Sequence, residues 1–251
     1  MVEAATTQVK AFDPSIRLLS NDDMWITHHR YLDAGLPSRL DGFALHPYVP
    51  HGPERGGAID AEWLKPYRIG DEERSFASFV RRLREHGLEK LGHVPEIWLT
   101  EWGWPVGSAS PRFVSEATQA ARLPRAFIVA EAAGVQAQCW YSSHDAGEDF
   151  FGLVGRGSRR RPAFDTFKTL SRELGAAALL AQVIGRDHAT TGLQGFVFDD
   201  GHEHVLALWN ADEVDLRVRL DGPLHQARGV DGYGQVLNLA DGTLTVGACP
   251  V

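Results

Sequence analysis

The strongest constraint on the fold is the repeated alternation of strand-like and helix-like patterns over the first 175 residues. Apolar strand patterns occupy residues 16–20, 42–46, 95–101 and 135–142, and an amphipathic stretch of helical period follows each of them. The connections between them carry no β-hairpin turn signals, so we expect the strands to be parallel. This order predicts an α/β fold, either half of a (β/α)8 barrel or a small open sheet.

The sequence changes character near Gly175. The strand-like runs beyond it are short, and turn sequences centred on Gly201, Gly222 and Gly242 separate them. This spacing is typical of antiparallel strands joined by tight turns. We therefore predict two domains, an α/β domain over residues 1–175 and a small antiparallel β domain over residues 176–251.

The third strand pattern ends in a carboxylate. Residues 95–101 reach Glu101, and the Trp-Gly-Trp-Pro sequence that follows stops the strand. In a parallel sheet flanked by helices, active sites form at the C-terminal ends of the strands. We expect Ile97, Leu99 and Glu101 to share one face, with Glu101 entering a pocket rimmed by indoles. A single Glu at a strand end is more often only solvated, so this interpretation depends on the neighbouring strands.

Polar and aromatic side chains also follow the neighbouring strand patterns. They are His46 and Tyr48 after the second, Trp102 beside Glu101, and Trp140, Tyr141, His144 and Asp145 at the fourth. Parallel strand ends meet at one mouth, so these side chains should line a single cleft. Indoles stack on sugar rings, His and Tyr hydrogen-bond hydroxyl groups, and an ionised Glu can attack or stabilise an anomeric carbon. The sequence therefore predicts a carbohydrate site, in which Tyr48 or His46 donates a hydrogen bond to Glu101.

Composition argues against several other functions. The formal net charge of −8 opposes binding to nucleic acids or anionic membranes. No apolar stretch approaches the roughly 20 residues of a membrane span, and residues 1–10 lack the pattern of a signal peptide. The two cysteines, Cys139 and Cys249, cannot form a disulfide framework, and Cys139 is predicted to be a buried, inert thiol. No motif points to a cofactor.

Three ordered segments resemble strands six, seven and eight of the clan A glycoside hydrolases, in particular cellulase-like enzymes and those of families 39 and 5. The segments are residues 41–48, 98–105 and 140–145, the last together with residues 151–154 and 161–164. The tail of the chain is similar to the small β-sandwich appended to such barrels. The resemblance implies a retaining glycosidase with Glu101 as the nucleophile, acting on a carbohydrate substrate such as a β-linked glucan or xylan.

The chain also departs from this family pattern. Family members carry an Asn-Glu pair at the end of strand four, whose Glu is the general acid/base, and this sequence has no Asn-Glu dipeptide. The resemblance thus implies the C-terminal half of a (β/α)8 barrel, strands five to eight, either as a truncated gene product or as a half that is completed by a second chain or by self-association. Because proton donation contributes about 10²- to 10⁴-fold, the chain alone is expected to be slow on natural glycosides. The complete protein is expected to be secreted, with any targeting segment in the missing part.

Two other functions stay open at this point. The first is a non-catalytic carbohydrate-binding protein that keeps the aromatic cleft. The second is a metal hydrolase that uses His28 and His29, or His202 and His204. Adjacent His residues on a helix point in different directions, and the second pair follows a turn sequence, so we predict no metal site.

Overall fold

A parallel sheet organises the first part of the chain in the computed structural model, which describes residues 2–21, 23–57, 67, 74–108, 110–146, 150–185, 191–222, 227–239 and 241–251. Its strands are β1 (Gly42–Leu45), β2 (Glu96–Trp102) and β3 (Ala137–Trp140), in the order β1-β2-β3. Both strand pairs are parallel. The predicted α/β fold is therefore confirmed.

The predicted first strand is reduced in the structure to isolated contacts. Leu19 and Asp23 form single parallel bridges with Gly42 and Leu45, and no strand forms over residues 16–20. Backbone hydrogen bonds still fix this segment, since the amide of Ser20 donates to the carbonyl of Gly42 at 3.0 Å. The segment is short and pairs along one side only within the described residues, which leaves it too little support for a continuous strand.

Helices connect and cover the sheet. They are α1 (Val2–Phe12), α2 (Trp25–Asp33), α3 (Phe76–Leu91), α4 (Glu116–Ala132) and α5 (Pro162–Leu174). Ser115 caps α4 by accepting a hydrogen bond from the amide of Thr118 at 3.0 Å.

The end of α3 lies beyond the glycine inside it. The helix continues through Gly87 to Leu91 and ends at Gly92, which adopts a left-handed conformation (φ 81°). Gly87 instead lies against Pro95, where a Cβ atom would come within 2.4 Å of the proline ring. The glycine therefore serves close packing rather than helix termination.

The remaining strands pair in antiparallel fashion, as the turn signals indicate. One sheet contains β4 (Ala178–Ile184), β5 (Leu193–Asp199) and β6 (His204–Asn210). Further pairs join β7 (Leu216–Arg219) to β10 (Thr243–Val246), and β8 (Gly229–Val230) to β9 (Val236–Leu237).

One hydrophobic core runs through both parts of the chain. Ile97 and Leu99 of β2 belong to the same buried cluster as Phe79 of α3, and this cluster also includes Phe198 and Trp209 of the antiparallel strands. The antiparallel strands therefore share their apolar burial with the parallel sheet. Burial of this kind contributes about 25 cal/mol per Å² of apolar surface removed from water.

The edge strand β3 is less buried than its sequence suggests. Within the described residues it pairs with β2 alone, and Cys139 is exposed with a free thiol. The prediction that Cys139 is a buried thiol was wrong, because no strand in the described part of the chain pairs with the second side of β3. None of the described helices is long and apolar enough to cross a bilayer.

Two adjacent histidines on α2 are fully buried. His29 Nδ1 lies 2.9 Å from His86 Nδ1, and the other ring nitrogen of His86 lies 3.1 Å from Asp33. Burial lowers the pKa of His28 to about 4, and burial together with the neighbouring His86 lowers the pKa of His29 to about 3. Within the described part of the chain, no group of three metal-binding side chains is placed to hold an ion.

We expect these histidines to make the fold acid-sensitive. Both stay neutral when folded but gain a proton below about pH 6.5 when unfolded, so unfolding becomes easier as the pH falls. Between about pH 6.5 and 4, the free energy of unfolding should drop by about 1.4 kcal/mol per pH unit for each histidine. Urea denaturation at several pH values across this range gives the free energy of unfolding as a function of pH. This pH dependence should be weaker for His29→Gln than for the wild type, and unchanged for the exposed control His202→Gln. An unchanged pH dependence for His29→Gln would contradict this account.

Candidate active site

A β-bulge in β2 turns Glu101 away from the core. Leu99 pairs with Gln138 and Trp102 pairs with Trp140, so β2 uses one more residue than β3 between these two pairs. Leu99 is fully buried, whereas the Glu101 side chain is 36% exposed. The prediction that Ile97, Leu99 and Glu101 share one face was therefore wrong, because the extra residue breaks the alternation of the strand and lets Trp102 take the buried side.

The side chains that follow β1 contact the Glu101 carboxylate. The hydroxyl of Tyr48 donates to Glu101 Oε2 at 2.8 Å, which confirms the predicted hydrogen bond. The Nδ1 atom of His46 lies 3.4 Å from the same oxygen, and its Nε2 atom lies 3.0 Å from Thr100 Oγ1. The parallel pairing of β1 with β2 thus gives one carboxylate oxygen two polar neighbours.

Aromatic side chains surround this polar cluster. The ring of Tyr48 lies 5.6 Å from that of Phe151 at an interplanar angle of 64°, and 6.5 Å from that of Tyr141 at 86°. Trp140 is partly exposed, and its indole nitrogen lies 3.3 Å from the carbonyl oxygen of Phe151. The structure therefore connects Tyr48 and Tyr141 with Glu101 through ring and hydrogen-bond contacts.

Two of the predicted sugar-binding side chains are buried in other contacts. The indole of Trp102 is fully buried and stacks on Phe76 at 4.9 Å. The carboxylate of Asp145 is 2% exposed and accepts two hydrogen bonds from Arg161, at 2.7 and 2.6 Å. Neither side chain is open to a ligand in this structure. His144 is exposed, and its ring nitrogen Nδ1 lies 3.2 Å from Ser143 Oγ.

Sequence reasoning did not assign roles to Thr100 and Phe151. Thr100 holds the ring of His46, and Phe151 packs against both tyrosines of the cluster. Each of them has one sequence feature that could have indicated a role. Thr100 lies next to the strand-end carboxylate, and Phe151 lies next to Gly152. A Cβ atom on Gly152 would come within 2.4 Å of the amide nitrogen of Asp145, so this loop needs glycine to close.

Comparison with known proteins gives results for the structure but not for the sequence. No protein-family model and no curated protein matches the sequence. The structure is similar to a family 39 glycoside hydrolase from Bacteroides cellulosilyticus WH2, with a TM-score of 0.78, 18% identity, and coverage of 99% of this chain and 52% of that chain. The chain therefore shares its fold with family 39 glycoside hydrolases. The resemblance seen in the sequence is thereby confirmed at the level of the fold.

Two further structures agree with this result. A family 39 β-xylosidase from Caulobacter crescentus has a TM-score of 0.50 and 18% identity, covering 88% of this chain and 44% of that chain. A glucosidase from Croceicoccus marinus has a TM-score of 0.55 and 15% identity, covering 82% of this chain and 42% of that chain. The chain thus spans about half the length of the structures it matches.

We expect Asp145 to contribute to stability. Replacing it with Ala removes the two short hydrogen bonds of the buried Arg161 guanidinium to a carboxylate and leaves it only one carboxylate contact, the longer one of 3.4 Å with Glu116, which should cost about 3 to 5 kcal/mol of unfolding free energy. The adjacent His144→Ala is a matched control at an exposed position and should change stability by less than about 0.5 kcal/mol. Urea denaturation at neutral pH measures both. Equal stability of Asp145→Ala and the wild type would contradict a structural role for this ion pair.

Proposed function

We propose that this chain is the nucleophile-bearing part of a retaining glycoside hydrolase that cleaves O-glycosyl bonds in a β-linked oligo- or polysaccharide. The observation that carries the proposal is the Glu101 carboxylate at the end of a parallel strand, contacted by Tyr48 and His46 and bordered by aromatic rings. The fold shared with family 39 enzymes supports the same assignment.

The contacts of Glu101 suggest how it would react. Tyr48 and His46 both lie against Oε2, so we assign Oε1 as the attacking atom. Attack on the anomeric carbon forms a glycosyl ester while the bond to the departing oxygen breaks. Trp140 and Tyr141 are the aromatic side chains that we assign to the sugar rings, because indole and phenol faces suit the apolar faces of a pyranose.

Hydrolysis also needs a proton for the departing oxygen. Retaining enzymes place a second carboxyl group about 5 to 5.5 Å from the first. We propose that this group lies on a complementary part of the barrel, because the sequence lacks an Asn-Glu pair and spans about half of the matched structures. On this proposal, residues 1–175 supply strands five to eight of the barrel.

The second part of the chain is assigned in the same way. We propose that residues 176–251 form a small β-sandwich beside the barrel half. The support is the antiparallel pairing of the strands between Ala178 and Val246, which begins soon after α5 ends at Leu174.

The edge of the parallel sheet at β3 supports the proposal that another part of the barrel packs beside this chain. Closed barrels leave no strand edge unpaired, whereas β3 pairs only with β2 among the described residues and its Cys139 is exposed. We propose that a second chain, or a second copy of this one, covers this edge. A second copy would add another Glu101 but no Asn-Glu pair, so it would cover the edge without supplying the acid/base.

We expect Glu101 to react with a sugar whose leaving group needs no proton. A 2-deoxy-2-fluoro glycoside with a dinitrophenolate leaving group, in the gluco and xylo series, should form a covalent adduct on Glu101 that peptide mass spectrometry identifies. Glu101→Gln should form none, and Tyr48→Phe should label about 10²-fold more slowly because one donor to the carboxylate is lost.

The control for this experiment is Glu96→Gln on the same strand. Glu96 accepts a hydrogen bond from Trp98 and makes none of the Glu101 contacts, so this variant should label at the wild-type rate. Azide should speed the loss of the sugar from labelled Glu101 as the glycosyl azide, because azide attacks the anomeric carbon of the glycosyl ester without a general base and frees the carboxylate. Absence of labelling in both sugar series would overturn the nucleophile assignment.

The missing acid also favours a second candidate, a non-catalytic carbohydrate-binding protein. A binding protein should show saturable binding of β-linked oligosaccharides that Trp140→Ala weakens and Glu101→Gln leaves unchanged. Removal of a stacking indole typically costs about 1 to 3 kcal/mol, which isothermal titration calorimetry resolves. Binding of this pattern without any covalent labelling would favour the second candidate over the first.

A further inference from the structure

The loop that carries Tyr48 is held by side chains from distant parts of the chain. This loop, residues 46–57, is here called the Tyr48 loop, and its residues 47–53 form neither helix nor strand. The indole nitrogen of Trp104 donates to the carbonyl of His51 at 3.0 Å, and Arg122 of α4 donates to the carbonyl of Pro50 at 3.0 Å. Side-chain donors thus fix the backbone shortly after Tyr48.

A buried carboxylate anchors the far end of the same loop. Glu54 has a side chain that is 3% exposed and accepts hydrogen bonds from Arg125 Nε at 2.8 Å and Nη2 at 2.7 Å. The indole nitrogen of Trp209 on β6 donates to Glu54 Oε1 at 2.7 Å. Glu54, Arg125 and Trp209 are here called the Glu54 cluster. Its members join the Tyr48 loop, the helix α4 and the antiparallel strands.

The cluster leaves no room for variation at the loop backbone. A Cβ atom on Gly52 would lie 2.6 Å from Arg125 Nη2 and 2.6 Å from Glu54 Oε2. The guanidinium group therefore packs directly on the loop, and glycine permits this approach. Trp209 is in turn fixed by a parallel stack on Phe196, with ring centroids 5.1 Å apart.

A second carboxylate from the antiparallel part reinforces the arginines. Glu213 accepts hydrogen bonds from Arg122 Nε at 2.9 Å and from Arg125 Nη1 at 3.2 Å. Burial alone would lower the pKa of Arg125, but its ion pairs with Glu54 and Glu213 outweigh burial and raise it. Arg125 therefore stays charged at any physiological pH, so its ion pairs with Glu54 and Glu213 are not switched by a change of pH.

We propose that Arg125 and Trp209 are positioning residues that hold the Tyr48 loop, through Glu54, where the Tyr48 hydroxyl meets the Glu101 carboxylate. The antiparallel strands then have a direct role at the site in addition to covering apolar surface. The inference rests on the proposed function only for the catalytic role of Glu101. The claim that the Glu54 cluster positions Tyr48 does not depend on that role and is tested separately.

The physical basis is the sensitivity of catalytic geometry to small displacements. Residues 47–53 form neither helix nor strand and have little rigidity of their own, and a shift of about 1 Å in a reacting group can cost about 10²-fold in rate. Three charge-assisted or buried hydrogen bonds on the Glu54 carboxylate add directional restraint to the backbone hydrogen bonds that Glu54 and Gly56 share with Phe76 and Arg74. Loss of one donor should therefore move Tyr48 without unfolding the chain.

Fluorine NMR of the full chain labelled with 3-fluorotyrosine tests this directly. The chain has five tyrosines, so five signals are expected, and Tyr48→Phe identifies the Tyr48 signal by its loss. Glu101→Ala then gives the position of that signal when the carboxylate is absent. In Trp209→Phe, which keeps an aromatic ring over Phe196 but loses the donor to Glu54, the Tyr48 signal should move toward the Glu101→Ala position.

Two further variants make the result decisive. Trp98→Phe is the matched control, because it also removes an indole donor from a glutamate, Glu96, at 2.9 Å. It should leave the Tyr48 signal in place. Glu213→Gln, at a partly exposed side chain, should shift the signal in the same direction as Trp209→Phe but by less, and it keeps the test valid if Trp209→Phe does not fold.

The outcomes separate this inference from the proposed function. A shifted Tyr48 signal, with the signals of tyrosines outside the site unchanged, supports positioning whether or not Glu101 forms a sugar adduct; the Tyr141 signal can move with it, because the two rings are in contact. An unshifted signal in every folded variant among Trp209→Phe and Glu213→Gln overturns it, even if Glu101 is labelled. If Tyr48 is positioned in this way and Glu101 is the nucleophile, the labelling rate of Trp209→Phe should fall by about 10²-fold, and that of Trp98→Phe should not fall.

Discussion

The parallel pairing of β1, β2 and β3 is the constraint on which the rest of the structure depends. It brings the C-terminal ends of the three strands to one edge, so the residues after β1, the carboxylate of β2 and the aromatic residues of β3 become neighbours. Residues more than 50 positions apart thereby share one hydrogen bond, from Tyr48 to Glu101. Without this pairing each of these side chains would be an isolated surface group.

The same sheet also sets what chemistry the chain can do. One carboxylate with two polar neighbours is suited to nucleophilic attack, whereas glycoside hydrolysis also needs a proton donor at a defined distance. Under the proposed function, an incomplete barrel separates these two requirements between different pieces of protein. The same proposal explains why β3 pairs with β2 alone among the described residues and why the chain matches about half the length of a family 39 enzyme.

Buried charges and buried aromatic rings link the two parts of the chain. Phe198 and Trp209 extend the core of the parallel sheet into the antiparallel strands, and Trp209 also donates to Glu54 in the Tyr48 loop. An unpaired carboxylate at this depth would be strongly destabilising, so the position of Glu54 is defined by its donors. The Tyr48 loop and the antiparallel strands are therefore joined by a buried ion pair and a buried hydrogen bond as well as by the shared core.

The sequence by itself determined the local features, because they depend on neighbours along the chain. The alternation of strand and helix, the Ser115 cap, the turn-rich antiparallel strands and the Glu101 carboxylate at a strand end all follow from short-range patterns. The hydrogen bond from Tyr48 to Glu101 also followed, since parallel strands place their ends together. Only the tertiary structure decided the bulge that turns Glu101 outward, the burial of Trp102 and Asp145, and the pairing of Glu54 with Arg125 and Trp209. These depend on contacts between residues up to 155 positions apart, and burial decides which polar side chain finds which partner.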